Sequence, residues 1–531
     1  MGGGRGRGSG PCGVCHVSST MTCGGCGEMH YCGRDHQKRH WAQHRATCKP
    51  FKMVTHPDLG RYMVTTRRLK AGENVLVDQP LAFGPLPYFA AVCLGCHRLL
   101  PEELFRCPGC WWPLCSQECA TSKLHKRECP ILAKDTEHVA VPQNNEETMR
   151  YDIIMVLRVL MLRESNPEGW GVVMNMEHHS EERAKETKVD LEINIHVLRN
   201  ILGLNCTEKE VEQVRGAIAT NAMQMTSPYG VPLRALHPRV HFFNHSCTPN
   251  LQLSFTTEGE MYVRTAVALE PGEPMYVTYT GTAMPLWERR ACLRENYFFT
   301  CECKRCEDPN ELDTDFSNPK CLECGNVIMK PHTWVGNIKW VCPNCKAEKS
   351  EQRVKEEVQT VLTTLDMSDV SDTSSIRRLQ YLLEQVGQEF HPQHFVWMKV
   401  AQRMLHKLMN DETERGITLR VEIWKKLSVL YGKLEPGMTR KRGMGILEMA
   451  LSMMKWIRNE YLQNSIYAPA LMIKLKPVIE QFQEAADILS LEPAQVNVHV
   501  LAERALIRKQ EACELMKEME RGDLLSRGKG C

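Results

Sequence analysis

The chain reads as an α+β protein of several domains, on three observations. Its cysteines fall into tight groups at metal-ligand spacing, and short strands rich in Val, Tyr and Thr lie between those groups. The C-terminal third is dominated by helical periodicity. At 531 residues there is room for about three or four domains. A hydrophobic content of 43% supplies a sizeable core and excludes wholesale disorder. The formal charge of +2 creates no global field for nucleic acid. No apolar run approaches the ~18 residues of a membrane span. The opening MGGGRGRGSGP lacks an apolar core, so residues 1–11 are expected to be a disordered Gly/Arg tail rather than a signal peptide.

Twenty-five cysteines without a secretory signal predict reduced thiols, and their paired spacing predicts metal. Only Cys206, Cys292, Cys513 and Cys531 stand apart from the groups, as free thiols. The first group, 12–48, runs C-x2-C-x7-C-x2-C-x5-C-x3-H-x7-H-x3-C. The second, 93–129, runs C-x2-C-x10-C-x2-C-x4-C-x3-C-x5-H-x3-C. Eight ligands in four pairs suit two zinc ions each. Both groups resemble MYND zinc fingers, through Tyr31-Cys32, the helix start from Gln37 to Trp41, and the closing His-x3-Cys. The resemblance implies interleaved ligand sets. In the first finger these are Cys12, Cys15, Cys32 and His36, and Cys23, Cys26, His44 and Cys48. In the second they are Cys93, Cys96, Cys115 and Cys119, and Cys107, Cys110, His125 and Cys129. His36 stands where the family has cysteine, and His40 is a competing ligand.

Between the fingers, in the stretch 55–92, residues 59–83 carry alternating apolar positions with a turn at Ala71-Gly72, read as a hairpin or short meander. A polar stretch, 135–147, leads from the second finger into a helical segment, 130–235. There 148–163 gathers Ile153, Ile154, Leu157, Leu160 and Met161 on one side, and Thr207-x-x-Glu210 caps a helix running towards Met225. Residues 236–281 return to strands, with turns at Glu258-Gly259 and Glu270–Glu273. Cys247 with Cys301, Cys303 and Cys306, in 282–310, supplies four thiolates for one zinc. Cys321, Cys324, Cys342 and Cys345 look like a zinc ribbon over 311–346. From 347 to 531 antiparallel helices are expected, similar to a degenerate tetratricopeptide array, although no clean repeat of about 34 residues is visible. Structural zinc contributes about 10–16 kcal/mol of folding energy per site. Chelation is therefore expected to unfold the chain locally, and hydrolysis at zinc is not expected because no cluster leaves an open position.

Three blocks extend the resemblance over most of the chain: Gly60-Arg61-Tyr62 with Lys70–Glu73, Asn244-His245-Ser246-Cys247-x-Pro249-Asn250, and Gly272-Glu273-x5-Tyr279. In order and spacing they resemble the SET-and-MYND protein-lysine methyltransferase family, in its arthropod type with tandem fingers. The resemblance implies a β-rich SET fold interrupted by the second finger, an extra N-terminal finger, a post-SET zinc site, a ribbon and an all-α C-terminal domain. It implies S-adenosylmethionine as cofactor, about six zinc ions, and methyl transfer to lysine of histone or non-histone proteins. Tyr279 is then catalytic, while Gly60, Arg61, Tyr62, Asn221, Asn244, His245, Tyr279 and Phe299 surround the cofactor. The chemistry is sensible. Lysine titrates near 10.4, so an apolar, aromatic-lined channel is needed to favour the neutral amine. Tyr62, where the family has glycine, and Leu236-His237-Pro238 with His241–Phe243 depart from the usual pattern; they put the catalytic rate in question more than cofactor binding. His237 reads as a surface or helix-end histidine rather than a base.

The competing reading is an adaptor whose SET fold has lost activity and which recruits transcriptional partners through its fingers and helices. A DNA-binding zinc protein is disfavoured, because Arg67, Arg68 and Lys70 fall in a strand turn. The family takes proline-containing peptides at MYND fingers. A monomer is expected, with no membrane and no direct nucleic-acid binding, in the nucleus and/or the cytoplasm. The basic triplet Arg440-Lys441-Arg442 reads as a solvated helix end.

Overall fold

The computed structural model describes residues 9–521 apart from 27, 46–47, 58–59, 88–89, 136–148, 184–187, 326, 333–337, 368–373, 464–466 and 495–496. Most of the expected tail (1–8) and nearly all of the polar linker lie outside them. Gly10 and Pro11, assigned to the tail, instead form a ladder with Ser18 and Ser19.

Ten short strands build the β-rich part. They are β1 (Phe51–His56), β2 (Gly60–Thr65), β3 (Asn74–Asp78), β4 (Ala82–Pro85), β5 (Met223–Thr226), β6 (Pro232–Leu236), β7 (Asn244–His245), β8 (Leu251–Phe255), β9 (Met261–Thr265) and β10 (Tyr276–Val277). Sequence reading placed the first hairpin across Ala71-Gly72. Gly72 does turn the chain, at φ +78°, but the strands on either side of it join different sheets. β2 pairs antiparallel with β1, and β3 pairs with β9. β1 went unnoticed because it starts three residues after the ligand Cys48, so this part begins at 51 rather than 55.

The segment 130–235 is likewise not wholly helical. Thr207 and Glu210 form the expected capping box, with the Glu210 N–H donating to Thr207 Oγ1 at 3.1 Å. The helix ends at Asn221, however, and Met225 lies in a strand. There β5 takes one edge of β6, whose other edge holds β4, so sheet pairing overrides continued helix. The helix Met149–Leu160 is buried nearly all round rather than on one side, because the second finger covers the face expected to be polar. Trp112 of that finger meets Tyr151 edge to face at 5.4 Å. The turns at Gly259 (φ +85°) and Gly272 (φ +86°) fall where the sequence put them.

Two small sheets around Lys320–Ser350 form the ribbon; its last strand, Glu348–Ser350, lies past the expected boundary at 346. The helices between Glu351 and Arg521 then pack pairwise. None of the described helices is long and apolar enough to cross a membrane.

The helical tail is fastened to the β-rich part. Met438 N–H donates to Ala266 O at 2.7 Å. Gly437 (φ +82°) lets the chain approach, since a Cβ there would lie 2.1 Å from the same oxygen. Buried Glu492 accepts from Arg264 (2.9 Å) and Ser254 (3.0 Å), and also pairs with Arg440. The basic triplet does open a helix, Arg440–Leu462, with Lys441 half exposed as expected, and its members are also ion-paired, Lys441 with Glu435 and Arg442 with Glu484. Glu492→Ala would leave a buried guanidinium uncompensated, an expected loss of ~3–5 kcal/mol. Chemical denaturation checks this, and a loss below ~1 kcal/mol would remove the pair as an anchor.

Candidate active site

Sequence-remote ligands converge as the resemblance implied. The sets Cys12/Cys15/Cys32/His36, Cys23/Cys26/His44/Cys48, Cys93/Cys96/Cys115/Cys119, Cys107/Cys110/His125/Cys129 and Cys247/Cys301/Cys303/Cys306 each hold their ligand atoms within 4.8 Å of one another. Separations such as 3.4 Å for Cys15–Cys32 and 3.7 Å for Cys107–Cys129 suit a tetrahedron with zinc–sulfur bonds of ~2.3 Å, whose edge is ~3.8 Å. The donor sets fit zinc. In the ribbon, Cys321 Sγ stands 3.6 Å from Cys345 Sγ, and the Cys324 thiol contacts Cys342 and Cys345. His36 Nδ1 lies 3.0 Å from Cys32 Sγ, whereas His40 Nδ1 meets Tyr31 OH at 3.0 Å. The competing ligand is therefore spent on a phenol.

The set Cys247/Cys301/Cys303/Cys306 adjoins the remaining site residues. β7, carrying Asn244 and His245, pairs in parallel with β10, Asn244 opposite Tyr276. Asn250 clamps that junction, accepting from Tyr276 N–H at 2.7 Å and donating to Pro274 O at 2.8 Å. His245 faces both ways. Its Nδ1 accepts the Tyr279 N–H at 2.9 Å, and its Nε2 lies 3.3 Å from Cys247 Sγ. That arrangement requires the neutral Nε2–H tautomer, and burial lowers the His245 pKa to about 4. Arg289, fully buried, donates to Cys247 Sγ at 3.2 Å and to Glu311 at 3.0 Å. A positive charge thus stands against the thiolate cluster.

Tyr279 donates its hydroxyl to Phe243 O at 2.9 Å. Burial, and then the neighbouring Tyr297, push its pKa far up, so the phenol stays neutral. Its ring lies 5.3 Å from His245 and 4.8 Å from Tyr297. Phe299 is 6.1 Å from His245 and 37% exposed, open to a ligand. At the start of β2, Gly60 (φ +65°) has nothing within 4 Å of where a Cβ would lie. Arg61 rests over Phe242 at 5.7 Å, and Tyr62 lies close enough to Tyr276 to raise its pKa beyond the effect of burial. Asn221, at the end of its helix, gives its amide to Glu177 O (2.8 Å) and Ala217 O (2.9 Å).

His237 is buried, not at the surface: its Nε2 lies 2.9 Å from Gly259 O, which makes it part of the sheet packing. His241, whose Nδ1 donates to His237 O at 3.3 Å, has its pKa lowered by burial to about 4. Its folded value lies below the unfolded ~6.5, so the unfolded chain binds the extra proton between those values. Stability is expected to fall as pH drops from 6.5 towards 4, and melting at pH 7 and pH 5 with and without His241→Asn checks this.

Two contributors escaped sequence reading. Tyr297 was detectable as the first aromatic of Tyr297-Phe298-Phe299 before Cys301. The segment Glu177–Arg183 left no signal. It brings the Glu177 carbonyl to Asn221, the His179 ring to within 5.0 Å of Phe298, and Arg183 to Asn296 O at 2.5 Å.

Known proteins share this organisation. A MYND finger model matches residues 12–48, and a SET domain model matches 60–280. SET domain-containing protein SmydA-8, isoform B, of Drosophila melanogaster is 26% identical over 309 residues, 56% of this chain and 66% of that protein. Histone-lysine N-methyltransferase ASHR1 of Arabidopsis thaliana is 24% identical over 329 residues, covering 56% and 65%. Human N-lysine methyltransferase SMYD2 is 29% identical over 221 residues, covering 39% and 48%. The chain thus spans less than two thirds of each of these relatives' length. It pairs a MYND finger with a SET domain, and it resembles a SET and MYND domain-containing protein of Dictyostelium discoideum, 38% identical over 84 residues, 16% of this chain and 24% of that protein.

Proposed function

We propose that this protein transfers methyl groups from S-adenosylmethionine to lysine side chains of proteins. The observation that carries the reading is the cage around Tyr279. A neutral phenol is fixed on Phe243 O, flanked by Tyr297 and His245, beside the strand bearing Asn244. Tyr279 is the catalytic residue, and Gly60, Arg61, Tyr62, Asn221, Asn244, His245 and Phe299 surround the cofactor. The site suits that ligand: the space beside Gly60 is open, and aromatic faces and carbonyl oxygens favour a cationic group. When bound, the cofactor supplies a methyl group already activated by its sulfonium. The residues do the rest. Tyr279 and Tyr297 exclude water and disfavour the ammonium form of the incoming lysine, while the Tyr279–Phe243 bond fixes the direction of approach.

Relatives named as lysine methyltransferases support the enzyme over the inactive adaptor. The substrate is a protein, and the fingers and helices recruit partners around the SET core. Proline-containing peptides at a finger, monomeric behaviour and residence in the nucleus and/or the cytoplasm, where thiolate clusters stay reduced, complete the proposal. Direct nucleic-acid binding is not part of it, since Arg67 and Arg68 are paired with Glu73 and Glu270. Full-length protein with radiolabelled S-adenosylmethionine and a proteome-wide lysine peptide array should label lysine peptides. No cofactor binding by calorimetry would overturn the enzyme and leave the adaptor.

A further inference from the structure

The two fingers share a spacing but not an environment. Each first knuckle is followed by a histidine at positive φ, His16 (60°) and His97 (59°). His16 is exposed, whereas His97 is buried with its Nε2 3.1 Å from Arg158 Nη1. Within the closing His-x3-Cys the first finger has Thr47, outside the described residues, and the second has Glu128. Glu128 is 1% exposed. Its carboxylate receives both Nε (2.7 Å) and Nη2 (2.9 Å) of Arg158 and stands 3.7 Å from Nδ1 of the ligand His125. The same guanidinium donates to Leu94 O at 3.3 Å, between Cys93 and Cys96, and to Phe83 O at 2.7 Å, in β4.

One buried arginine on the helix Met149–Leu160 therefore reaches both zinc sites of the second finger and a strand of the SET domain. β4 pairs with β6, and the chain after β6 runs into Asn244 and His245. The helix itself packs against Glu208–Asn221. The first finger is held differently. Lys52 pairs with Glu28 at 2.8 Å with both side chains about half exposed, Arg67 Nε donates to Gly25 O at 2.6 Å, and Thr66 Oγ1 donates to Cys26 O.

We infer that the second finger is a structural part of the catalytic core, locked to it by Arg158, whereas the first is a separable module. A buried, bidentate guanidinium–carboxylate pair is stable only as a complete set. Losing zinc from Cys107/Cys110/His125/Cys129 frees the helix that carries Glu128, and Arg158 is then left buried without its carboxylate. The disturbance passes directly to Phe83 and β4. Among the described residues, losing zinc from the first finger breaks the exposed Lys52–Glu28 and Arg67–Gly25 contacts and the part-buried Thr66–Cys26 bond, none of which is a buried ion pair.

The test is an EDTA titration of the full-length protein, with zinc counted by native mass spectrometry and amide hydrogen exchange followed in parallel. Exchange within each finger reports which zinc has left. While only the first finger is stripped, β4 and Met149–Leu160 keep their protection. When the second finger is stripped, their exchange rises at least about tenfold. Glu128→Gln should shift loss of the second finger's zinc to EDTA concentrations about 10–100-fold lower, with the first finger unchanged. Arg67→Ala should leave exchange at β4 untouched. Persisting protection of β4 after the second finger has lost its zinc would overturn the inference. So would loss of that protection when only the first finger is stripped. The wild-type titration decides the question by itself should Glu128→Gln prevent folding.

Discussion

Tyr279→Phe is expected to slow methyl transfer about a hundredfold while leaving S-adenosylmethionine affinity close to that of the wild type. The hydroxyl is the only atom removed. The ring keeps its contacts with His245 and Tyr297, and the backbone N–H keeps its bond to His245 Nδ1. What disappears is the donor to Phe243 O, and with it the fixed aim of the ring beside the reacting amine. The orphaned carbonyl costs about 1–3 kcal/mol of stability, so a modest fall in Tm should accompany the change. Single-turnover transfer with calorimetry on the same preparation separates rate from binding. Undiminished transfer would remove the hydroxyl from the mechanism, and lost cofactor binding would make it a structural group.

Cys247→Ser should have a broader effect: one zinc fewer in the native mass and loss of cofactor binding together with transfer. Structural zinc is worth about 10–16 kcal/mol where it has been measured in small peptides. Here Cys247 is also one link in a continuous path. Arg289 touches Cys247, Cys247 touches His245, and His245 holds the backbone of Tyr279. Loosening that thiolate frees β7 from the segment containing Cys301, Cys303 and Cys306, and Phe299 lies two residues before Cys301. A variant that keeps full cofactor affinity with one zinc missing would show that the metal does not organise the site. Retained binding with lost transfer would instead point to zinc chemistry.

The metal sites were legible because thiolates and imidazoles must meet at fixed distances, and Cys-x2-Cys spacing satisfies that requirement within a single turn. Even the substituted ligand His36 fell into place, since imidazole and thiolate serve the same tetrahedral ion. Turns at Gly259 and Gly272 were legible for a similar local reason: positive φ favours glycine. Strand partners were not. The segment around Gly72 has the alternation of a hairpin, yet β2 and β3 each find a better mate elsewhere in the sequence. Alternation states which face is apolar and is silent on which strand lies alongside. Met149–Leu160 misled for the opposite reason, because a finger distant in sequence covers the side that periodicity would leave to water.

By itself, then, the sequence determined the metal-ligand pairs and the helical tail, which depend on residue type at short spacing, while the interleaving of those pairs and the weight given to the Asn-His and Tyr279 blocks came from the family resemblance. Only the tertiary structure showed that Tyr297 lies against Tyr279 and the segment Glu177–Arg183 against Asn221 and Phe298, that His237 is packing, and that the two fingers sit in different environments. Those outcomes depend on which group meets which partner well beyond its own turn of chain, as Asn221 meets Glu177, His237 meets Gly259 and Arg158 meets Glu128. Desolvation makes such pairings compulsory once the chain is folded, but no local pattern announces them beforehand.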